Sequence, residues 1–273
     1  MTYKMVVLDL DDTLLQDDQT ISAKTKLTLF AAQESGVKVV LASGSPTFGM
    51  QDIAKELRLK EFGSFILSFN GAKIIDCSTD EEIFSSTLAP RTVHELYDLS
   101  SREEVLIHTY IGSEIIAETA NPFTDIEGEL TGMEIKLVDS FKEAVTEPVV
   151  KALMLAEPGK LAEVEKKLQK ELEGELSVMR SKPFFLEFTN DGVTKATSLD
   201  HLIRQLGIKR EEVIAIGDSY NDLAMIEFAG LGVAMGNAPA DIKAKADYIT
   251  DTNMNDGVAK VVEQFVLREK VLS

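Results

Sequence analysis

Short apolar runs alternate with helical patterns in the first third of the chain. Each run is bounded by turn or helix signals, which is typical of a buried β-strand. Gly36 ends the first helical pattern, and Asn70-Gly71 after the third run is a turn pair suited to positive φ. The pattern predicts parallel strands joined by helices, with strands at residues 5–8, 37–42 and 65–68, one helix at residues 22–35 and another beginning near Pro46.

The pattern changes between residues 83 and 188. Strand-like stretches occur at residues 103–111, 135–138 and 151–156, and a strongly charged helix is predicted at residues 160–173. Strands grouped apart from helices in this way favour an α+β domain with an antiparallel sheet. We interpret residues 83–188 as a cap domain inserted into the first fold.

The alternation of apolar runs and helical patterns seen in the first third of the chain resumes at Thr194. Residues 1–82 and 189–273 are therefore expected to form one discontinuous core of class α/β, with a doubly wound, Rossmann-like parallel sheet. Such a sheet carries its reactive groups at the carboxyl ends of the strands, where the strand order reverses. In this part of the chain, strands are predicted at residues 213–216 and 231–235, and helices from Thr194 to Leu206, from Asp222 and from Gly257.

The composition limits the partners that the protein can have. With 46 acidic and 28 basic residues the formal net charge is -18, which would repel the phosphate backbone of a nucleic acid. A phosphorylated metabolite would also be repelled unless its site carries a metal ion, a lysine or backbone amides. The single Cys77 excludes an intramolecular disulfide, and no apolar run approaches the roughly 18 residues of a membrane helix. We expect a cytoplasmic monomer or homodimer that binds neither nucleic acid nor a membrane.

Closely spaced carboxylates follow two of the predicted strands. Asp9 and Asp11 come directly after the first strand, and Asp218 and Asp222 come after the strand at residues 213–216. Because Mg²⁺ prefers hard oxygen ligands, carboxylates from two loops at one sheet edge predict a magnesium site. A solvated acidic turn is the alternative for the first pair. A helix-starting role is the alternative for Asp222, but it leaves Asp218 unexplained.

Two further motifs offer groups that hold an anion. Ser43 and Gly44 form a turn before the helix near Pro46, where side-chain and backbone donors can cradle a phosphate. Lys195 lies at the start of a helix, where the backbone dipole disfavours a cation, so an anionic partner is indicated. Taken singly, a serine here is more often only a helix N-cap, and a lysine is more often a solvated surface residue.

Together and in this order, the motifs resemble those of the haloacid dehalogenase superfamily, and specifically its Cof-like branch of sugar-phosphate phosphatases. The resemblance spans nearly the whole chain, because the insertion is similar to the larger, C2 type of α/β cap and Asn70-Gly71-Ala72 to a turn of that branch. The matching positions are Asp9-x-Asp11-x-Thr13 for the first family motif, Ser43 for the second, Lys195 for the third, and Gly217-Asp218 through Asn221-Asp222 for the fourth.

The resemblance implies a Mg²⁺-dependent phosphatase that acts on a small phosphorylated metabolite, with sugar phosphates foremost. Asp9 would attack phosphorus to form an aspartyl phosphate, while Asp11 would protonate the leaving alkoxide and later activate the hydrolytic water. The same resemblance assigns Mg²⁺ to the Asp9 carboxylate, the Asp11 carbonyl and Asp218, with Asp222 acting indirectly or through water. It assigns the phosphoryl oxygens to the Leu10 amide, Ser43, Gly44, Lys195 and Asn221.

Two other functions would use the same motifs. A phosphomutase or phosphotransferase would share the chemistry of Asp9 and Asp11 but pass the phosphoryl group to a sugar hydroxyl. A non-catalytic, phosphate-responsive protein would keep the fold without turnover, and the complete set of motifs argues against it. Ser45 stands where the branch often has arginine, which implies an altered substrate contact, and the cap is expected to choose the substrate.

Overall fold

The structure is a computed structural model, and it describes residues 3–268. In these residues the strands are β1 (Met5–Leu8), β2 (Lys38–Ala42), β3 (Phe65–Ser68), β4 (Lys73–Asp76), β5 (Glu81–Ser85), β6 (Leu106–Ile111), β7 (Glu114–Ala117), β8 (Glu134–Leu137), β9 (Ala152–Leu155), β10 (Leu176–Lys182), β11 (Phe185–Asn190), β12 (Val213–Gly217), β13 (Leu231–Ala234) and β14 (Tyr248–Ile249). The α-helices are α1 (Ala23–Glu34), α2 (Thr47–Glu56), α3 (Pro90–Arg102), α4 (Pro122–Thr131), α5 (Phe141–Ala144), α6 (Pro158–Glu171), α7 (Lys195–Leu206), α8 (Leu223–Phe228), α9 (Ala240–Lys243) and α10 (Gly257–Val262).

The described chain divides into two compact units. One unit consists of residues up to 84 and from 194 onward, and the other of residues 85–193. Across residues 3–268 the strands form an eight-stranded and a six-stranded sheet, so the predicted class, an α/β core with an inserted second sheet, is confirmed. The domain boundaries at 82/83 and 188/189 stay a prediction.

The first sheet is centred on β1. Its strand order is β14-β13-β12-β1-β2-β3-β4-β5, and β1 runs parallel to both neighbours, with Leu8 opposite Leu41 of β2 and Ile216 of β12. Every residue of β1 is fully buried, which explains why its sequence has no polar alternation. The chain segments that follow β1, β2 and β12 therefore leave the sheet at the same edge.

Helices cover both faces of this sheet. On β1, Val6 packs into an apolar cluster that includes Leu29 of α1 and Val261 of α10. The next residue, Val7, packs into a second cluster that includes Leu199 of α7. Successive β1 side chains thus enter opposite layers, as the predicted doubly wound arrangement requires.

The first sheet is mixed, although a parallel sheet was predicted. β3, at residues 65–68, does run parallel to β2. β3 pairs with β4 antiparallel, with Ser68 opposite Lys73. The turn between them is too short to hold the crossover that a parallel neighbour would need. The predicted positive φ is confirmed in this turn, at Asn70 (55°) and Gly71 (94°).

The second sheet has the strand order β10-β11-β9-β6-β7-β8. The predicted antiparallel pairing holds for its first four neighbouring pairs but is wrong for β7 and β8, which run parallel because α4 crosses between them. The strand predicted from residue 103 begins at Leu106, because helix α3, which was not predicted, extends to Arg102 and is followed by Glu104 at a φ of 55°.

His108 and Tyr110 are buried on β6. His108 Nδ1 lies 3.1 Å from Thr124 Oγ1, and the Tyr110 hydroxyl donates to Glu127 Oε1 at 2.5 Å. Burial, followed by the nearby charge of Lys151, lowers the pKa of His108 to about 3, so this imidazole is neutral at physiological pH. Of the helices in residues 3–268, none has the length and apolar character needed to cross a membrane.

Candidate active site

Asp9 occupies the position directly after β1. Its backbone N–H donates to the Ile216 carbonyl at 3.0 Å, so the residue is still tied to the sheet by the neighbouring strand. The chain then makes a wide turn, in which the Leu14 N–H reaches back to the Asp9 carbonyl at 3.3 Å and Asp12 adopts a φ of 56°. This turn leaves the Asp9 side chain buried at the sheet edge, while Asp11, two residues on, is exposed. A solvated turn is therefore wrong for Asp9.

Lys195 reaches Asp9 from the first residue of α7. Its Nζ donates to Asp9 Oδ1 at 2.5 Å and to Asp222 Oδ1 at 2.6 Å, and its side chain is fully buried. The alternative of a solvated surface lysine is wrong. The strand before Lys195, β11, belongs to the second sheet, and the helix start itself, capped by Thr194, positions the lysine.

Asp222 is fully buried beside Lys195, at the N-cap of α8. Its Oδ2 accepts hydrogen bonds from the backbone N–H groups of Asp218 and Ser219, both at 3.0 Å, while its Oδ1 takes the Lys195 ammonium. A helix-starting role describes its position but not these three contacts. Gly217 makes room for them, because a Cβ there would lie 2.5 Å from the Asp222 Cβ.

Asp218 completes a group of three carboxylates. One carboxylate oxygen from each of Asp9, Asp218 and Asp222 lies within 4.8 Å of the others. Thr13 links the loop after β1 to the loop after β12 by donating to Asp218 Oδ1 at 3.0 Å. The two acidic motifs predicted to share one sheet edge are thus brought together.

The loop after β2 carries Ser43 and Gly44. Ser43 is buried, and its Oγ accepts the Ser45 N–H at 3.0 Å, which holds the loop as a tight turn. The alternative of a helix N-cap is wrong for Ser43, because Pro46 occupies the N-cap of α2. Asn221, predicted for the same phosphate site, donates from Nδ2 to Asn70 Oδ1 at 3.0 Å.

Two asparagine contacts at this edge were missed in the sequence. Asn70 was interpreted only as a turn residue, although it follows β3, the neighbour of β2, and such a position can reach the adjacent loop. Asn237 donates to the Asp12 carbonyl at 2.7 Å and so braces the turn after Asp9 from the loop after β13. No periodic pattern marks this second residue, because its contact is with a backbone atom 225 positions away.

Known proteins are similar to this chain in sequence and in fold. The model of the haloacid dehalogenase-like hydrolase family matches residues 6–262. The chain belongs to this family. The predicted membership of its Cof-like branch and the predicted enzyme class, a phosphatase acting on phosphoric monoesters, are confirmed.

Relatives align over almost their full length. A haloacid dehalogenase-like hydrolase from Bacteroides thetaiotaomicron is 46% identical, with a TM-score of 0.90 over 96% of this chain and 99% of that one. The structure of the sugar phosphatase BT4131 is 28% identical, with a TM-score of 0.80 over 96% and 98%. In Bacillus subtilis, the 5-amino-6-(5-phospho-D-ribitylamino)uracil phosphatase YcsE is 34% identical over 97% of this chain and 96% of its own.

The charges at the site of this haloacid dehalogenase-like hydrolase are unbalanced. Burial, reinforced by the Asp222 carboxylate, raises the pKa of Asp9 well above its usual value despite the contact with Lys195. Burial and the same neighbour raise the pKa of Asp218 to about 6. Burial alone would lower the pKa of Lys195, but Asp222 and Asp9 outweigh it and raise that pKa, so the lysine stays charged.

These carboxylates fit a divalent metal ion. One lysine charge faces three acidic side chains, and the pKa values of Asp9 and Asp218 are raised first by burial and then by the neighbouring Asp222 carboxylate, so a further positive charge would stabilise the cluster. Hard oxygen donors this close together are the ligands that Mg²⁺ and similar ions take in proteins. The site is therefore of the metal-binding type expected in this family.

The fit between Gly217 and Asp222 can be tested with Gly217→Ala. The backbone at Gly217 permits alanine, but the new Cβ must push Asp222 away from the Asp218 and Ser219 amides. We expect a loss of roughly 1–3 kcal/mol in the free energy of unfolding from overpacking, measured in urea, with at least tenfold slower phosphate release. Gly159→Ala is the matched control, because a Cβ at Gly159 meets no atom within 4 Å. A Gly217→Ala protein as stable and active as that control would contradict this account.

Metal affinity should fall as the pH drops through about 6. Asp218 carries a raised pKa of about 6, so below that pH its proton competes with the metal, while above it the carboxylate is free to bind. We expect about a tenfold loss of Mg²⁺ affinity per pH unit from Asp218 alone, and more with Asp9 included. Calorimetric titration with MgCl₂ at pH 7.5 and pH 5 measures it. Equal affinity at the two pH values, or unchanged affinity in Asp218→Asn, would contradict the assignment.

Proposed function

We propose that this phosphatase hydrolyses phosphate monoesters of small metabolites, sugar phosphates foremost, through an aspartyl phosphate on Asp9. The observation that carries the proposal is the buried Asp9 carboxylate, held 2.5 Å from Lys195 at the carboxyl end of the central strand. A nucleophile must be ionised and fixed in direction. The ammonium group fixes the direction by holding one defined oxygen, Oδ1, and it favours the ionised form, although a further positive charge is needed to offset burial and the Asp222 carboxylate.

Asp11 is the proposed general acid and base. It lies on the same turn as Asp9 but is exposed, so it can exchange a proton with solvent between the two half-reactions. In the first step Asp9 forms a bond to phosphorus, the ester P–O bond breaks, and Asp11 gives its proton to the departing alkoxide. In the second step Asp11 takes a proton from water, water oxygen bonds to phosphorus, and the Asp9 carboxylate is released.

Mg²⁺ is the metal that we assign to the acidic cluster. Asp9, the Asp11 backbone carbonyl and Asp218 would hold it. Both oxygens of Asp222 are already engaged, so Asp222 would act through Lys195 and the Asp218 amide or through water. When bound, the ion neutralises charge on the phosphoryl group and keeps Asp9 ionised. Manganese has similar ligand preferences, so both ions belong in the test.

The phosphoryl oxygens would be held by groups that surround Asp9. We assign this contact to the Leu10 amide, Ser43, Gly44, Lys195 and Asn221. These residues lie on the loops after β1, β2 and β12 and at the start of α7, so they approach the nucleophile from different directions. Removing oriented donors of this kind commonly slows an enzyme by about 10²-fold or more.

The substrate class is drawn from the relatives. They are named as phosphatases of a sugar phosphate, of a phosphoribitylaminouracil and, in Cronobacter sakazakii, of HMP-PP. All of these substrates are small phosphorylated metabolites, and Lys195 together with the assigned Mg²⁺ would supply the positive charge that such an anion needs in an acidic protein. Sugar phosphates rank first because the motifs resemble those of the Cof-like sugar-phosphate phosphatases, and the sugar phosphatase BT4131 shares the fold over 96% of the chain.

Phosphate release from a substrate panel tests the proposal. Sugar phosphates, nucleotides, flavin mononucleotide and pyridoxal phosphate are compared with and without Mg²⁺, for wild type, Asp9→Asn and the distant exposed control Asp52→Asn. We expect metal-dependent release that falls on the order of 10³-fold or more in Asp9→Asn, because the amide is not a nucleophile, and is unchanged in Asp52→Asn.

Three outcomes would count against it. Full activity of a folded Asp9→Asn protein would exclude Asp9 as the nucleophile. A phosphorylated isomer without free phosphate would indicate a mutase. No turnover despite measurable Mg²⁺ binding would indicate a phosphate-responsive protein without catalysis.

A further inference from the structure

The turn of Phe69, Asn70 and Gly71 has an unusual backbone. All three residues have positive φ, at 53°, 55° and 94°. Glycine and asparagine accept this region readily, but a bulky residue such as Phe69 rarely does. Backbone in such a region persists only when its surroundings fix it, so the contacts of this turn must hold it in place.

The backbone of this turn is tied to the loop after β2. The Phe69 N–H donates to the Ser45 carbonyl at 3.0 Å, and the Asn70 N–H donates to the Ser43 carbonyl at 2.9 Å. The Ser43 N–H in turn donates to the Leu67 carbonyl of β3 at 2.9 Å. The Ser43 loop is thus held by hydrogen bonds along the end of β3 and the turn.

The same turn packs against the start of α7, the helix that carries Lys195. The Ser198 hydroxyl donates to the Gly71 carbonyl. A Cβ at Gly71 would lie 2.6 Å from both the Thr194 carbonyl and the Ser198 hydroxyl, so only glycine allows this approach. The turn therefore joins the β2 loop to the helix start.

The side chain of Asn70 reaches a third element, the loop after β12. Its Oδ1 accepts Asn221 Nδ2 at 3.0 Å. The edge of its amide that carries Nδ2 and Oδ1 also faces Gly44, since a Cβ there would be 3.3 Å from both of these atoms and 3.6 Å from Asn70 Cγ. The Asn70 amide thus occupies the space between Gly44 and Asn221, two of the proposed phosphate-binding positions.

We propose that Asn70 is a positioning residue for phosphoryl-group binding. Its Oδ1 takes one N–H of the Asn221 amide, which fixes the plane of that amide and aims the second N–H. Its packing on Gly44 sets the distance between the β2 loop and the β12 loop. The inference rests on the proposed function, because Gly44 and Asn221 matter here as phosphate ligands.

Two substitutions separate the amide from the turn geometry. Asn70→Gly keeps the positive φ but removes the amide, so Asn221 loses its partner. Asn70→Asp keeps an acceptor for Asn221 but replaces the NH₂ by a negative charge beside Gly44. Asn255→Gly, the same deletion in an exposed turn, is the matched control.

The readouts are KM for the best substrate of the panel and the inhibition constant of inorganic phosphate. We expect both constants to rise together by about 3–10-fold in Asn70→Gly, as for one lost hydrogen bond, and by about 10–100-fold in Asn70→Asp. In an Asn221→Ala background, Asn70→Gly should add a smaller change than it causes alone, because the part of its effect that acts through Asn221 is already lost. Circular dichroism and the Tm verify folding.

The possible results are distinguishable. If Asp9→Asn is inactive and both Asn70 variants keep wild-type phosphate inhibition, the positioning role is overturned while the proposed function stands. Equal effects of Asn70→Gly in the wild-type and Asn221→Ala backgrounds would also overturn it. An active Asp9→Asn protein would remove the proposed function itself, whatever the Asn70 variants do.

Discussion

The Lys195 ammonium lies between two buried carboxylates, 2.5 Å from Asp9 and 2.6 Å from Asp222. Three charges without direct access to water are tolerated only when each has close partners, and removing one member of such a group commonly costs about 3–5 kcal/mol. Asp222 meets this condition by using both oxygens, one for the lysine and one for two backbone amides. The loop after β12 is therefore shaped around this contact, and Gly217 is required where it comes closest.

The sheet determines which groups can meet in this way. Because β1 lies between β2 and β12 and is parallel to both, the loops that follow these strands share one edge. Thr13, Asn237 and Asn70 then connect neighbouring loops by hydrogen bonds to Asp218, the Asp12 carbonyl and Asn221. The site is held as a network of loop-to-loop contacts, and each contact involves groups distant in sequence. A rigid arrangement of this kind is what a reaction controlled by charge placement needs.

Much of this arrangement could be predicted from the sequence, for physical reasons that differ by element. Strands such as β1 are buried on both faces, so their apolar runs are unmistakable, and acidic residues directly after such a run indicate the sheet edge where reactive groups collect. Helix α3 was missed, although its sequence carries the signals of an amphipathic helix, with Pro90 at its start and Val93, Leu96 and Ser100 repeating at helical spacing on its buried face. The parallel pairing of β7 and β8 depends on the path of α4, which no pattern within either strand records.

The contacts of single side chains were the least predictable. Lys195 was expected to face an anion, but its two carboxylate partners are 186 and 27 positions away in sequence. Asn70 was interpreted only as a turn residue, and its hydrogen bond to Asn221 was not predicted. Asparagine suits both a positive φ and an amide contact, so its presence in a turn does not indicate the second of these. Such roles follow from tertiary structure, since local sequence fixes the backbone of a turn but not what lies beside it.

Direct detection of a phosphorylated Asp9 is the measurement that tests the central claim. A single turnover is quenched with acid and reduced with borohydride, which converts an aspartyl phosphate to homoserine, and the peptide that contains Asp9 is sequenced by mass spectrometry. The account predicts homoserine at position 9 in wild type, dependent on substrate and Mg²⁺, and none in Asp9→Asn. Homoserine at another residue, or no homoserine at position 9 at any quench time before phosphate is released, would contradict it.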